Sequence, residues 1–278
     1  MSYSRTGRGL TKPLRGAFLD WGHPLVVGLI HGYVFNDCGG TQAFDYGTLA
    51  AHGTLTNMEP EDRTGGLHGS AINFDGSNNV VVCASEVGPA NGFTCAAWVQ
   101  TDITTGALVV AAQHHSTDAG DAYFQFFRNT TNLHGRIHQV KDTTRIGRNS
   151  GAVFVVGNWS HIAMRWNGGT TNAAIELFVG GARVDTTDDG AGTFTAANTT
   201  ALQFKVGGQG NASHFALWDG RIESVFCWNR ALANEEIKQL VADPYGMFLP
   251  VTYRRWFVPA VAVDEMPLSH RMSIAVPI

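Results

Sequence analysis

The sequence predicts an all-β sandwich with one short helix near its C-terminal end and an extended arm at each terminus. The chain has 278 residues, of which 44% are hydrophobic, only 15% are charged and 33 are glycine. That balance is typical of a turn-rich sandwich with short strands. Short apolar runs also recur between clusters of Gly, Asn, Asp and Thr, and one segment changes from a strand period to a helix period. All-β sandwiches often exceed 200 residues, so we expect one large domain.

The segment with the changing period is Phe215–Leu240. Ile222, Phe226 and Trp228 keep the two-residue period of a strand. Farther along, apolar residues recur at three- and four-residue spacing, two glutamates occupy the first helical turn, and Pro244 ends the helix. The segment therefore predicts a strand, a turn and a helix.

Other short segments predict further strands and one tight hairpin. Gly180 and Gly181 permit the positive φ angles of a two-residue turn between apolar runs. The further strands are predicted at Ala107–Ala112, Ala122–Arg128, Leu133–Val140 and Ala201–Val206.

Six motifs occur in an order that resembles the laminin-G-like jelly rolls of the concanavalin A-like class. They are Tyr33–Asn57 (YVFNDCGGTQAFDYGTLAAHGTLTN), Gly66–Val82 (GLHGSAINFDGSNNVVV), Phe93–Gln100 (FTCAAWVQ), Asn158–Trp166 (NWSHIAMRW), Ala174–Val184 (AIELFVGGARV) and Gly220–Ile237 (GRIESVFCWNRALANEEI). The resemblance covers roughly Leu25–Ala242 and implies a jelly-roll fold. A shared fold says less about function, which depends on particular sites.

Charge and composition divide the chain into a basic arm at 1–24, a jelly-roll domain at 25–244 and an extended arm at 245–278. The net charge of −4 does not favour a nucleic-acid partner. A basic arm on an acidic body favours docking to an acidic partner surface, although a solvated tail is the alternative. The candidate docking residues are Arg5, Arg8, Arg15, Tyr253 and Trp256.

The resemblance also implies a calcium site at the rim of the sandwich, because many laminin-G-like domains bind one calcium ion there. Asp37, Asp45 and Glu223 stand at the positions of the family's acidic ligands, whereas Asn36 and Ser224 replace two others. Calcium needs six to eight oxygens, so fewer carboxylates weaken such a site. The alternative is that Asp37 and Asp45 cap turns through side-chain hydrogen bonds. No cofactor is required in either case.

Catalysis is not expected from the sequence. Glucanases that share the jelly roll carry a Glu-x-Asp-x-x-Glu strand, and no such triplet occurs here. His134 and His138 would stand about 13 Å apart on a strand and cannot chelate one ion. A glycan site instead needs aromatic rings and polar groups at one rim, for which His214, Trp218 and Tyr123 are the candidates.

We expect a virion structural protein, of the capsid-decoration or fibre type, that is assembled in the host cytoplasm. Leu19–Leu25 and Asp243–Phe248 resemble segments that flank such domains in structural proteins of tailed bacteriophages. No signal peptide or membrane span is visible, and the cysteines fit buried free thiols. Expected partners are other virion proteins, further copies of the chain in a homo-oligomer and a cell-surface or mucus glycan. The alternative is a carbohydrate-binding adhesion module of a cell-surface or secreted protein.

Overall fold

The computed structural model describes residues 10–37, 39–83, 91–114, 122–198, 202–210 and 215–249. Within these ranges the first strands are β1 (Leu29–Tyr33), β2 (Gln42–Ala43), β3 (Gly53–Thr56), β4 (Arg63–Gly65), β5 (Ser70–Asp75), β6 (Val80–Cys83), β7 (Phe93–Thr101), β8 (Ala107–His114) and β9 (Ala122–Asn129). They are followed by β10 (Asn132–Val140), β11 (Thr144–Ala152), β12 (Trp159–Trp166), β13 (Ile175–Val179), β14 (Ala182–Arg183), β15 (Asp185–Asp188), β16 (Lys205–Val206), β17 (Asp219–Trp228) and helix α1 (Asn234–Ala242). Short 3₁₀ turns lie at Pro24–Val26, Pro60–Asp62 and Asn172–Ala174.

The described strands form two antiparallel sheets that pack face to face. The first sheet has the order β14-β13-β12-β7-β17-β5-β4, with β1 also paired to β17. The second sheet has the order β15-β11-β10-β9-β8-β16-β6-β3-β2. The predicted all-β sandwich with a short helix is thereby confirmed.

The main core lies between the two sheets, and β9 illustrates how the sequence builds it. Phe124 and Phe126 point into this core, whereas Gln125 and Phe127 point to the outer face of the second sheet. This alternation is the two-residue period of a strand. Phe124 and Phe126 are fully buried, as expected for residues between two packed sheets.

A second apolar layer covers the outer face of the first sheet. Leu19 and Leu25 of the N-terminal segment pack there with α1 and with residues 245–248. The indole Nε1 of Trp228 donates a 2.7 Å hydrogen bond to the carbonyl of Leu25. Leu19 and Phe248 form an antiparallel bridge. The described parts of both predicted arms therefore belong to this layer.

The predicted hairpin, the predicted end of the helix and most of the further predicted strands are present in the structure. Gly180 and Gly181 have φ angles of 56° and 79° and connect β13 to β14, so the predicted hairpin is confirmed. The helix ends at Ala242, before Pro244, as predicted. Three of the four further strands are present as β8, β9 and β10, whereas the strand predicted at 201–206 is only Lys205–Val206.

The cysteines that the structure describes match the prediction of buried thiols. Cys83, Cys95 and Cys227 are free and buried, while Cys38 lies outside the described residues. Burial raises the pKa of the Cys83 thiol to about 12. None of the described helices is long and apolar enough to span a membrane.

Candidate functional site

The outer face of the second sheet contains a depression of about 350 Å³. Strands β8, β9 and β10 form its floor, and the segment that follows β16 forms one side. Its apolar part includes Val109, Phe127 and Phe215, and its polar part includes Gln125, Arg136 and Gln209. This volume lies in the range of about 300–1,000 Å³ that is typical of small-ligand pockets.

Strand periodicity and register bring the floor residues together. On β10, Leu133 and Ile137 enter the main core, while His134, Arg136 and His138 lie on the opposite face. The antiparallel register places His134 opposite Phe127 and Arg136 opposite Gln125. His134 and His138 therefore share one face of a strand, as the sequence predicts.

Asp189 holds Arg136, one of the residues that line the depression. Its Oδ2 accepts hydrogen bonds of 2.8 Å from His134 Nδ1 and 2.8 Å from Arg136 Nε, and its Oδ1 accepts one of 2.9 Å from Arg136 Nη2. Arg145 Nη2 lies 3.9 Å from Oδ1. Burial opposes ionisation of Asp189, but the hydrogen bonds from His134 and Arg136 prevail and lower its pKa to about 2.

The same two side chains immobilise Phe127. The His134 ring stacks against Phe127 with a centroid distance of 4.7 Å, and the Arg136 guanidinium lies 4.7 Å from the Phe127 centroid. Phe127 is only 5% exposed. It serves as a rigid floor residue rather than an open ring for stacking.

A chain of amide and imidazole groups runs across the middle of the floor. Gln125 Nε2 donates to Gln209 Oε1 at 2.6 Å, and Gln125 Oε1 lies 3.1 Å from His138 Nε2. Because the oxygen of Gln125 can only accept, His138 must carry its proton on Nε2. Burial lowers the pKa of His138 well below its usual value, so the ring is neutral at pH 7.

The rim of the depression is more open than the floor. The ring of Phe215 is 37% exposed and contacts the edge of the His114 ring at 6.2 Å. The neighbouring Ala216 accepts a 2.7 Å hydrogen bond from the amide of Val109, which fixes the Phe215 segment to β8. The carboxylate of Asp142 is 67% exposed on another part of the rim. A ligand would therefore meet one aromatic ring beside fixed polar groups.

The part of the sequence from β5 to α1 matches a known protein family. Residues 74–238 match a laminin-G-like family model that is described as the concanavalin A-like lectin/glucanases superfamily. The chain belongs to this superfamily. The matched range includes β8, β9 and β10, which form the floor of the depression. No significant match was found among curated proteins.

Solved structures with similar folds come from toxins and from a sialidase. They include the binding domain of Paraclostridial Mosquitocidal Protein 1, with 11% identity, a TM-score of 0.54 and coverage of 77% of this chain and 52% of that chain. The receptor binding domain of botulinum neurotoxin C/D mosaic serotype has 9% identity, a TM-score of 0.51 and coverage of 77% and 51%. Trypanosoma rangeli sialidase in complex with 2,3-difluorosialic acid has 13% identity, a TM-score of 0.52 and coverage of 79% and 34%.

The chain thus spans about half the length of the two toxin domains and about a third of the sialidase. At these identities the similarity concerns the fold alone. The concanavalin A-like framework accommodates different functions, so the site must be judged from its own residues.

Two residues predicted to stack against a glycan lie instead in the core of this concanavalin A-like domain. Trp218 is fully buried and donates a 3.2 Å hydrogen bond to the carbonyl of Gln100. Tyr123 is 2% exposed and contacts Phe93. Both predictions are corrected, because large rings near strand ends gain more from burial than from exposure. His214 lies outside the described residues, but the next residue, Phe215, lines the depression.

The carboxylate of Asp45, a predicted calcium ligand, already accepts four hydrogen bonds from the protein. Its Oδ1 accepts from the amides of Gly32 at 2.7 Å and Gly47 at 2.8 Å, and its Oδ2 lies 2.7 Å from His31 Nδ1 and 3.0 Å from the amide of Ala51. The bond to Gly47, two residues on, is the turn-capping geometry that the sequence left open as the alternative.

Glu223 is engaged in the same manner. Its carboxylate accepts from the amide of Leu67 at 2.6 Å, from the hydroxyl of Tyr245 at 2.8 Å and from His68. The hydrogen atoms of these bonds occupy the positions around the carboxylate oxygens that a cation would need. The carboxylates of Asp45 and Glu223 therefore do not fit a calcium site. Among the described residues, no three His, Cys, Asp or Glu side chains are grouped to hold a metal ion.

Asp37 and Arg15 lie close together, and the Asp37 carboxylate is buried whereas the Arg15 side chain is half-exposed. Asp37 Oδ2 accepts a 3.1 Å hydrogen bond from the amide of Phe44, and its Oδ1 lies 3.8 Å from Arg15 Nε. The Arg15 guanidinium lies 4.6 Å from the centroid of the Phe44 ring. Burial raises the pKa of Asp37. The other predicted docking residues, Arg5, Arg8, Tyr253 and Trp256, lie outside the described residues.

The residues that organise the depression are not among those predicted from the sequence. Asp189 joins His134 across 55 residues of sequence, and Gln209 joins Gln125 across 84. The signal that could have found the site is the run of polar residues on one face of β10, between core positions. Their partners come from distant strands and loops, which the local pattern does not specify.

Proposed function

We propose that this protein is a non-catalytic carbohydrate-binding subunit whose ligand occupies the depression on the second sheet. The main support for this proposal is the exposed ring of Phe215, which lies beside the immobilised polar groups of Gln125, Arg136 and Gln209. A sugar has an apolar C–H face and a hydroxyl edge. The aromatic ring can pack against the apolar face of the sugar, and the amide and guanidinium groups can form hydrogen bonds with its hydroxyl edge. Two of the similar structures are binding domains by name, which is consistent with such a use of the fold.

The carboxylates near the depression support a binding role rather than hydrolysis. Glycoside hydrolysis commonly uses two carboxyl groups, one of which is a proton donor with a raised pKa. Asp189 has a pKa lowered to about 2 and is held by His134 and Arg136, so it is a poor proton donor. Among the described residues that line the depression, Asp142 carries the one carboxylate.

The test is a glycan array followed by calorimetric titration of the best ligand with the full chain. We expect saturable binding that Phe215→Ser weakens at least about tenfold, the scale of losing one aromatic contact. The matched control is Phe18→Ser, because Phe18 is also an exposed ring but lies on the N-terminal segment. A blank array, or equal effects of the two substitutions, would contradict the proposal.

A second proposed role is that of a virion structural subunit, of the capsid-decoration or fibre type. The observation that favours it is that the described parts of both arms lie on the outer face of the first sheet, bridged at Leu19 and Phe248. The depression lies on the opposite side of the sandwich, on the second sheet. A subunit docked through its arms would therefore present the depression outward.

In this role the partners are other capsid or tail proteins and further copies of the chain, and assembly takes place in the host cytoplasm. No nucleic acid or membrane partner is proposed. The measurement is native mass and sedimentation of the full chain beside a form that lacks Tyr253–Ile278. A defined oligomer that dissociates on truncation supports an assembly subunit. A monomer indifferent to truncation favours the alternative, an independent adhesion module of a cell surface or secreted protein.

A further inference from the structure

The described N-terminal segment exposes an unusual number of large apolar side chains. Phe18 is 75% exposed and Trp21 is 70% exposed, and Leu10, Leu14 and Val27 are also more than half exposed. We call these five side chains the arm strip. A concentration of exposed apolar side chains on one short segment favours an interaction site there.

The backbone that carries the arm strip is fixed to the domain. The amide of Lys12 donates to the carbonyl of His68 at 3.1 Å, and the amide of Asp20 donates to the carbonyl of Met247 at 2.8 Å. Between the exposed residues, Ala17 and Leu19 are 5% exposed and pack on the first sheet. The strip is therefore presented on an anchored segment, so covering it costs little additional backbone entropy.

We propose that residues 250–278 of the same chain cover the arm strip at Phe18 and Trp21. The last described residue before this segment, Leu249, lies beside Phe18, because its amide donates a 2.8 Å hydrogen bond to the carbonyl of Phe18. Sixteen of the 29 residues from 250 to 278 are apolar, among them Trp256 and Phe257. A segment of this composition gains more from burial than from exposure to water.

The covalent connection favours the same chain over a second copy. A short tether gives an effective concentration of the order of millimolar, far above that of free copies in solution. An extended segment of 29 residues could reach up to about 100 Å, so its length does not limit access to the strip.

Hydrogen–deuterium exchange of the full chain, read by mass spectrometry at several protein concentrations, tests this proposal. We expect amides within residues 251–278 to exchange at least about tenfold more slowly than those of a synthetic peptide of the same sequence, independently of concentration. The double substitution Phe18→Ser and Trp21→Ser should abolish this protection. Both side chains are exposed, so the domain should remain folded, which the exchange of β7 and β17 reports in the same spectra.

The matched control is Val155→Ser with Val156→Ser, which removes two exposed apolar side chains outside the arm strip and should leave the protection intact. Exchange of residues 251–278 at the peptide rate would overturn the proposal. Protection that grows with protein concentration would overturn it in favour of a second copy. Protection that survives the Phe18 and Trp21 substitutions would show that the segment is covered elsewhere.

Discussion

The Nζ atom of Lys12 donates a 2.6 Å hydrogen bond to the backbone carbonyl of Glu223 in β17. It also donates to the carbonyl of Ser70, and the Lys12 side chain is buried. The carboxylate of Glu223 accepts the hydroxyl hydrogen of Tyr245, which follows α1. One residue of the first sheet therefore anchors both described ends of the chain.

The first prediction concerns the pH dependence of this anchor. Burial lowers the pKa of Lys12 from 10.5 to about 7, although the charges of Glu223 and Asp37 oppose the shift. Between these values the unfolded chain holds a proton at Lys12 that the folded chain lacks. The free energy of unfolding should therefore rise with pH from about 7 to 10.5, by up to about 1.4 kcal/mol per unit.

Urea unfolding of the full chain and of Lys12→Met at pH 6.5, 8 and 9.5 measures this dependence. The difference between the two proteins isolates Lys12, because the other titrating groups are shared. We expect the wild type to gain stability relative to Lys12→Met as the pH rises. A difference that is constant over this range would contradict the lowered pKa of Lys12.

The second prediction concerns Asp189 at low pH. Its pKa is lowered from 3.8 to about 2, because hydrogen bonds from His134 and Arg136 outweigh the effect of burial. The stability that it contributes is complete above about pH 4 and is lost as the pH falls toward 2, amounting to about 2 kcal/mol. Asp189→Asn should be less stable at pH 7 and lose less on acidification. Identical acid unfolding curves for both proteins, measured by circular dichroism, would show that Asp189 contributes no such dependence.

The strands with regular apolar alternation could be predicted from the sequence, whereas β11 could not. Its sequence, TRIGRNSGA, has Ile146 as its one large apolar residue in the main core. This strand forms because β10 and β15 pair with it on its two sides. Arg148 of β11 forms ion pairs with Asp185 and Asp188 of β15. Such support depends on partners distant in sequence, so a local pattern does not reveal it.

The segment at Asp185–Asp188 shows the same limit. Its sequence, DTTD, has no large apolar residue to indicate a strand, yet the structure has the strand β15 there. The amide of Leu177 donates to Asp185 Oδ1, and Arg183 Nε lies 2.8 Å from the same oxygen. Neutralisation by arginines of neighbouring strands allows acidic residues to occupy an edge strand. The candidate site depends on this edge, because Asp189 follows β15 directly.

The third prediction concerns calcium. The oxygens of Asp45 and Glu223 accept hydrogen bonds from backbone amides and side chains, so they offer no positions to a cation. We expect the thermal midpoint of the full chain to be the same, within about 1 °C, in millimolar calcium and in EDTA, because only ligands that bind the folded state raise it. A midpoint several degrees higher in calcium would show that these residues, or others, form a site after all.

The last prediction concerns the amide chain across the floor of the depression. Gln125→Leu keeps the size of the side chain but removes its bonds to Gln209 and His138, leaving two buried polar groups without their partner. The free energy of unfolding should fall by about 1–3 kcal/mol. The matched control is Gln139→Leu in β10. Because Gln139 bonds to exposed Thr195, this substitution should lower the free energy of unfolding by less than about 1 kcal/mol.

Calorimetric titration well below both thermal midpoints should show weaker glycan binding for Gln125→Leu alone. Equal losses of stability and binding in the two variants would mean that the amide chain does not organise the site.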